Sequence, residues 1–299
     1  MTRQSKQEVA GRQIKSITYL GMAANIALAI VKIAIGLLAA SLALVADGIH
    51  SLSDLATDAV VLLGVRLGLK EPDPSHPYGH GRAETLAAGL IAVILISVGG
   101  AMIYYATMAI ARDEITVPRI EVLIAAIVSI AAKEWLYRAT QRIAILSQSP
   151  ALYANAWHHR SDALSSVAVV IGFAALQFGF GHGDQVAAVA VGLMVMGVGV
   201  KVIGDCLREL TESAVDQDTI EHIKQIISSN SSIRQWHKLR TRTVGREVFL
   251  DLHILVDPDL NVTAAHEITV SLEKALDEQI KRPINITIHI EPHQPELPK

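Results

Sequence analysis

Between about residues 16 and 210 the chain is mostly Ala, Val, Ile, Leu and Gly, in runs as long as a bilayer is thick. A helical span needs about 20 apolar residues. Backbone placed in lipid must satisfy its own hydrogen bonds, which confines such runs to helices. Six spans are expected, at roughly Ile17–Leu38, Leu42–Val65, Thr85–Ala106, Ile115–Leu136, Ala156–Phe178 and Val186–Cys206. Internal charges make the second and fifth the weakest by hydropathy. The chain is 51% hydrophobic and only 18% charged, against about 25% charged in a soluble domain, and its charges concentrate after Glu212. Two domains follow: a membrane part at 1–212 and a polar part at 213–292. A flexible, proline-interrupted tail is expected at 293–299.

Several function classes drop out. A net charge of −3 provides no basic field for nucleic acid. Cys206 is the only cysteine, so neither an internal disulfide nor a thiolate cluster can form within one chain. The first apolar stretch is too long for a signal-peptide core and is expected to be retained. Lys and Arg near span ends favour the cytoplasmic side. Arg3, Lys6, Arg12 and Lys15 precede the first span, Arg66, Lys70 and Arg82 lie between the second and third, and Arg138, Arg142 and Arg160 between the fourth and fifth. Arg112 and Arg119, on the opposite side, are offset by Asp113, Glu114 and Glu121. Both termini are therefore expected in the cytoplasm of a multi-pass protein, with a bacterial or archaeal plasma membrane the best fit.

The polar part alternates helix and strand patterns. Asp218–Ser228 and Thr263–Gln279 read as amphipathic helices. Trp236–Thr243, Glu247–Val256 and Ile284–Ile290 read as strands, the first two around a Val244–Gly245 turn. This is a small α+β module. On the second strand Val248, Leu250, Leu252, Ile254 and Val256 share one face, and Phe249, Asp251 and His253 the other. On the last strand, Ile284, Ile286, Ile288 and Ile290 back a polar face of Asn285, Thr287, His289 and Glu291.

Ionisable residues inside a span are costly and mark function by default. The second span holds Asp47, His50, Asp54 and Asp58, and the fifth holds His158, His159 and Asp162. Residues four apart share a helix face, so His50 pairs with Asp54 and His158 with Asp162. Two imidazoles and two carboxylates from two helices can close a tetrahedral shell suited to Zn²⁺, with Fe²⁺, Mn²⁺, Co²⁺ or Cd²⁺ as alternatives. Metal needs neutral imidazole and ionised carboxylate, so protons compete for the same groups. An unperturbed imidazole titrates near pH 6.5, so a proton gradient can load and unload such a site. His159 points away from His158 by about 100° and reads as structural or interfacial. Asp47 and Asp58 share the Asp54 stripe, as supports of the ligands or as steps on an ion's path. Asn25 and Cys206 read as packing residues.

Asp73, His76 and His80, in the Pro/Gly-rich loop after the second span, form either a solvated loop or a more exposed metal site. In the module, His253, His289 and Glu291 lie on polar faces and can gather with His237 and His266, although scattered surface histidines are common. His182, His222 and His293 read as ordinary surface residues.

Taken together, these stretches resemble the cation diffusion facilitators. The likeness covers roughly Ile14 to Pro292. It is carried by Ala46-Asp-Gly-Ile-His-Ser-Leu-Ser-Asp54, His76-Pro-Tyr-Gly-His-Gly-Arg-Ala-Glu84, His158-His-Arg-Ser-Asp162, His237-Lys-Leu-Arg-Thr-Arg242 and Ile288-His-Ile-Glu291. The resemblance implies a six-helix all-α membrane bundle with a cytoplasmic, metallochaperone-like (ferredoxin-like) α+β domain. It implies a homodimer that exports a divalent cation against protons by alternating access. By position, it implies a transport site of His50, Asp54, His158 and Asp162, a loop site of Asp73, His76 and His80, and a regulatory site of His237, His253, His266, His289 and Glu291. Arg82 and Glu212 stand where the family has an inter-subunit charge interlock. Two positions depart from common patterns: His50 replaces a frequent Asp, which favours Zn²⁺ over harder ions, and Glu291 replaces a frequent Asp.

Other classes are weaker. A membrane metalloenzyme would need a second histidine after His266-Glu267, and the only His-Glu dipeptide lacks one. A membrane-bound metal sensor can share every site above and is separated only by moving no ion.

Overall fold

A computed structural model of the chain describes residues 3–38, 54–113, 120–280 and 282–293. His50 and Asp47 lie outside the described residues, as do 294–299 of the expected tail. The chain divides into two compact units: residues 11–207, and residues 208–299 with the first ten.

The larger unit is helical. Its helices are α1 (Arg3–Leu38), α2 (Leu55–Gly68), α3 (Arg82–Ala111), α4 (Ile120–Ser147), α5 (Pro150–Gln177) and α6 (Gly183–Leu210). Among the described residues, three stretches are long and apolar enough to cross a membrane by length and composition: Val9–Ile35, Arg82–Ala111 and Ala188–Leu210. The count of six spans is therefore reached only in part. Besides the second and fifth, the fourth is also weakened, because α4 carries Lys133, Glu134 and Arg138.

Beside an apolar core that includes Ile14, Ile91, Leu95 and Leu152, several polar groups are buried in this unit while many large apolar side chains are exposed. Asn25, Asp54, Asp58, Lys133, Asn155, His158 and His159 are all buried, whereas Leu86, Leu90, Val93, Tyr104 and Tyr105 along α3 are exposed. Exposed apolar side chains over buried polar ones are the arrangement that a lipid surround would stabilise and water would not.

The helices outrun the apolar windows. Residues expected to connect the fourth and fifth spans are helical: Arg138 and Arg142 lie on α4, Arg160 on α5, and only Gln148 and Ser149 separate the two helices. Hydropathy reports where lipid is, whereas a helix continues for as long as its residues favour helix and pack. The tight joint is made by Gln148 at φ 52° and by Ser149. The Ser149 hydroxyl accepts from the Leu152 amide at 3.3 Å and donates to Glu84 Oε2 at 2.7 Å. Arg160 turns back onto α4, donating to the Tyr137 hydroxyl at 2.8 Å and lying 4.5 Å above that ring. Between α3 and α6 the backbones themselves meet. A β-carbon on Gly99 would stand 2.7 Å from the Gly192 carbonyl oxygen, and one on Gly192 would stand 2.8 Å from that of Gly99. Small residues permit this approach, which replaces the hydrophobic drive that lipid removes.

The smaller unit runs α7 (Gln217–Ser229), β1 (Gln235–Val244), β2 (Glu247–Val256), α8 (Val262–Gln279) and β3 (Ile284–Pro292). Sheet order is β1-β2-β3, with β1 and β2 antiparallel and β2 and β3 parallel. The described residues hold three strands, one short of the βαββαβ pattern of a full ferredoxin-like domain. The α+β class stands at this coarser level. Asp216 and Asn261 cap the two helices through the Thr219 and Ala264 amides, each at 2.9 Å, the ordinary use of a short polar side chain at that position. Val248, Leu250, Leu252, Ile254 and Val256 are buried against Ile223, Ile227, Leu272 and Leu276. On β3 only Ile284 is fully buried, because β3 is an edge strand.

Replacing Gly99 by Leu forces two backbones apart. Overpacking of this kind costs about 1–3 kcal/mol, so thermal unfolding in detergent should begin at a lower temperature. An unchanged midpoint would contradict the α3–α6 contact.

Candidate metal centre

Three side chains of types that can ligate a metal converge inside the helical unit. Asp54 stands immediately before α2, and His158 and Asp162 lie one turn apart on α5. His158 Nε2 is 3.5 Å from Asp54 Oδ1 and 3.8 Å from Asp162 Oδ2, and among the described residues neither imidazole nitrogen has a hydrogen-bond partner. A tetrahedral ion with ligands at about 2.0–2.2 Å spaces its donor atoms about 3.3–3.6 Å apart. The three side chains offer donor atoms that all lie within 4.8 Å of one another. The shell is close to what a small cation needs and too open for direct hydrogen bonds from the imidazole. His50, the expected fourth ligand, lies outside the described residues.

A fourth charge enters from α4. Lys133 is buried, and its ammonium donates to Asp54 Oδ2 at 2.6 Å and to Asp162 Oδ2 at 2.9 Å. It bridges the two carboxylates that would hold an ion. Sequence reasoning missed it, although Lys133 falls within the expected fourth span and the rule that singles out intramembrane ionisable residues applies to it equally.

One turn further along α2, Asp58 is fully buried. It accepts from Asn25 Nδ2 at 3.2 Å and from Asn155 Nδ2 at 2.8 Å, with His159 Nε2 3.9 Å away. Asn25 is thus a partner of Asp58 as well as a packing residue. His159 faces this polar group rather than His158's ligands. Asn155 was overlooked because it sits one residue before the apolar window that starts at Ala156. Cys206 packs as expected, buried near the Thr85 carbonyl.

In the loop between α2 and α3, Asp73, His76 and His80 also come together. His76 Nδ1 is 3.2 Å and His80 Nε2 3.5 Å from the Asp73 carboxylate, and the two rings are 4.3 Å apart. Asp73 folds the loop around itself, accepting from the Ser75 and His76 amides at 3.0 and 2.8 Å, as Asp does in a turn. Lys70 donates to it at 2.7 Å. Lys70, then Ser75, hold the Asp73 carboxyl well below the usual carboxylate range.

In the smaller unit the sheet register aligns His237, His253 and His289 across three strands. A bulge between His237 and Arg240, with Lys238 at φ 50°, re-aims the first of them. Glu291 closes the group at 2.7 Å from His253 Nδ1, 3.1 Å from His237 Nε2 and 3.7 Å from His289 Nε2. His266, on α8, stays outside it within one chain and lies beside Thr269. Glu212 pairs with Arg242 at 3.1 Å, while Arg82 opens α3.

The larger unit thus combines a lipid-suited exterior with a buried imidazole–carboxylate cluster, which defines an ion-handling membrane protein. Residues 18–211 match the cation efflux transmembrane domain, and residues 215–293 match the cation efflux protein cytoplasmic domain. The chain belongs to the cation efflux family, whose members are membrane transporters of divalent metal cations and not enzymes. It is similar to metal tolerance protein C1 of Arabidopsis thaliana, 32% identical over 297 residues, which covers 94% of this chain and 63% of that protein. The chain therefore spans under two thirds of the plant relative's length. It is 32% identical over 258 residues to magnetosome protein MamB of Magnetospira sp. (strain QH-2), covering 86% and 88% of the two chains. It is also 28% identical over 286 residues to manganese efflux system protein MneP of Bacillus subtilis (strain 168), covering 93% and 96%.

Two measurements follow from this geometry. Asp58→Ala orphans the donors of Asn25 and Asn155, each worth about 1–3 kcal/mol when buried and unpaired, so the unfolding midpoint should fall, with Asp58→Asn less damaging. Separately, the hydrogen bond with His253, against opposing desolvation, holds the Glu291 carboxyl below its ordinary range. A depressed carboxylate contributes stability that is present above its unfolded value of about 4.3 and is lost as pH falls through the folded one. A carboxyl-carbon NMR titration of Glu291 should show its midpoint below that value; a midpoint above it contradicts the pairing.

Proposed function

We propose that this protein exports a divalent transition-metal cation, Zn²⁺ foremost, from the cytoplasm in exchange for protons. The reading is supported above all by one observation, the convergence of Asp54, His158 and Asp162 inside the helical unit. With His50 as fourth ligand the shell is two nitrogens and two oxygens, a set that suits Zn²⁺ better than an all-carboxylate shell would. Manganese remains in competition on one specific ground, that MneP is named for manganese efflux.

Six spans, cytoplasmic termini and a homodimer complete the proposal. The site faces one side of the membrane and then the other. Metal requires neutral His158 and ionised Asp54 and Asp162, so a proton arriving from the outer side opposes metal retention there. The cluster of His237, His253, His289 and Glu291, with His266 contributed by a second copy, binds metal and adjusts the dimer. Asp73, His76 and His80 collect ions in the loop. Arg82 and Glu212 act as charges between subunits.

Flux into proteoliposomes, measured with Zn²⁺, Cd²⁺, Fe²⁺, Mn²⁺ and Co²⁺ across an imposed pH gradient, tests this directly. His158→Ala and Asp162→Ala should each reduce uptake to the level of empty vesicles, while His289→Ala should retain part of it. Binding without uptake would indicate a sensor. Zn²⁺ uptake indifferent to the pH gradient would remove the antiport, and Mn²⁺ uptake exceeding Zn²⁺ would reassign the cargo.

A further inference from the structure

Lys133 is the least expected occupant of the helical unit's interior. It is 2% exposed, comes from a helix that supplies none of the expected ligands, and ends on the ligand oxygens. Its ammonium touches Oδ2 of Asp54 and Oδ2 of Asp162, so it stands where a cation shared by those carboxylates would stand. Asp54 and Asp162 are its charged partners among the described residues. Neighbouring Glu134 turns away and pairs with Arg138 at 2.7 Å. A purely structural lysine would do equally well bonded to one carboxylate or to backbone carbonyls. This one spans the pair.

We infer that Lys133 is a tethered cation of the transport site, which the metal ion must displace and which returns to the carboxylates when the ion leaves. The inference rests on Asp54, His158 and Asp162 being that site. Two carboxylates facing one another in a buried setting repel, and an ammonium between them removes the repulsion. A divalent ion brings twice that charge to the same oxygens, and ammonium and ion repel each other at such distances. They therefore exclude one another. The four-carbon stem of lysine lets its head withdraw while the helix stays in place. The device sets an affinity threshold, because an ion is held only if it binds the carboxylates and His158 better than the lysine does. It also weakens the site toward both sides of the membrane, which favours release.

The test uses the full-length protein in detergent, with loop and module ligands silenced by His80→Ala, His237→Ala and His253→Ala, and Zn²⁺ as the probe. Lys133→Gln, and Lys133→Met as a second variant, should bind Zn²⁺ at least about tenfold more tightly, equivalent to about 1.4 kcal/mol. They should also gain more in melting temperature from saturating Zn²⁺ than the parent does. Unchanged or weaker binding, or an equal or smaller melting increment, overturns the inference. Should both variants fail to fold, the parent protein still decides it. Reductive methylation of the Lys133 amine, followed by mass spectrometry, should rise on saturation with Zn²⁺ and should not rise in Asp162→Asn. Methylation indifferent to Zn²⁺ overturns displacement. If Asp162→Asn itself binds Zn²⁺ as well as the parent, the transport site has been misplaced and the larger reading fails first.

Discussion

Charge buried inside a helical bundle is costly unless it is paired, and the contact of Lys133 with Asp54 and Asp162 pairs the charges at this site. Removing one partner of a buried pair costs about 3–5 kcal/mol, so these three groups hold α4, α5 and the start of α2 in one arrangement. The same contact is poor as a permanent bond. Its members have been taken out of water, and the nearby imidazole of His158 makes no hydrogen bond among the described residues. A site that is stable only in company is well suited to exchanging its company.

Around this centre the unit is layered by polarity. Asp54, Lys133, His158 and Asp162 form one level, and Asp58 with Asn25, Asn155 and His159 forms the next. Apolar residues such as Leu63 and Val93 face outward. The levels differ in their partners. Asp58 receives two amide donors and has no cation within bonding distance among the described residues, whereas Asp54 is held by an ammonium. Amides cannot be displaced by charge competition as a lysine can, so Asp58 reads as a fixed feature and Asp54 as a replaceable one.

Much of this was legible in the residues, for identifiable reasons. His158 and Asp162 stand four apart, and helical periodicity alone brings them to one face. On β2 every second residue from Val248 to Val256 is buried as its spacing predicts, with Phe249 and Leu255 buried on the other face as well, and the strand has the expected ends, Glu247 and Val256. Lys133 was hidden because it lies near the end of an apolar window, where charges are ordinarily read as flanks. Asn155 was hidden because hydropathy placed the helix start at Ala156, six residues after the backbone begins to coil at Pro150. The polar faces carrying His253 and His289 were legible from the alternation, but their exact pairing with each other and with His237 was not, since register is set between strands and the bulge after His237 has no local signature.

That alignment also makes the small sheet its own gauge. Side chains alternate faces with a period of two, so sliding β3 by one residue would turn His289 and Glu291 inward and Ile288 outward. The parallel pairing of β2 with β3 has no hairpin to hold it, because α8 intervenes. Whatever grips His253 and Glu291 at once therefore pins two strands at one latitude, and a mispaired sheet offers it nothing to grip.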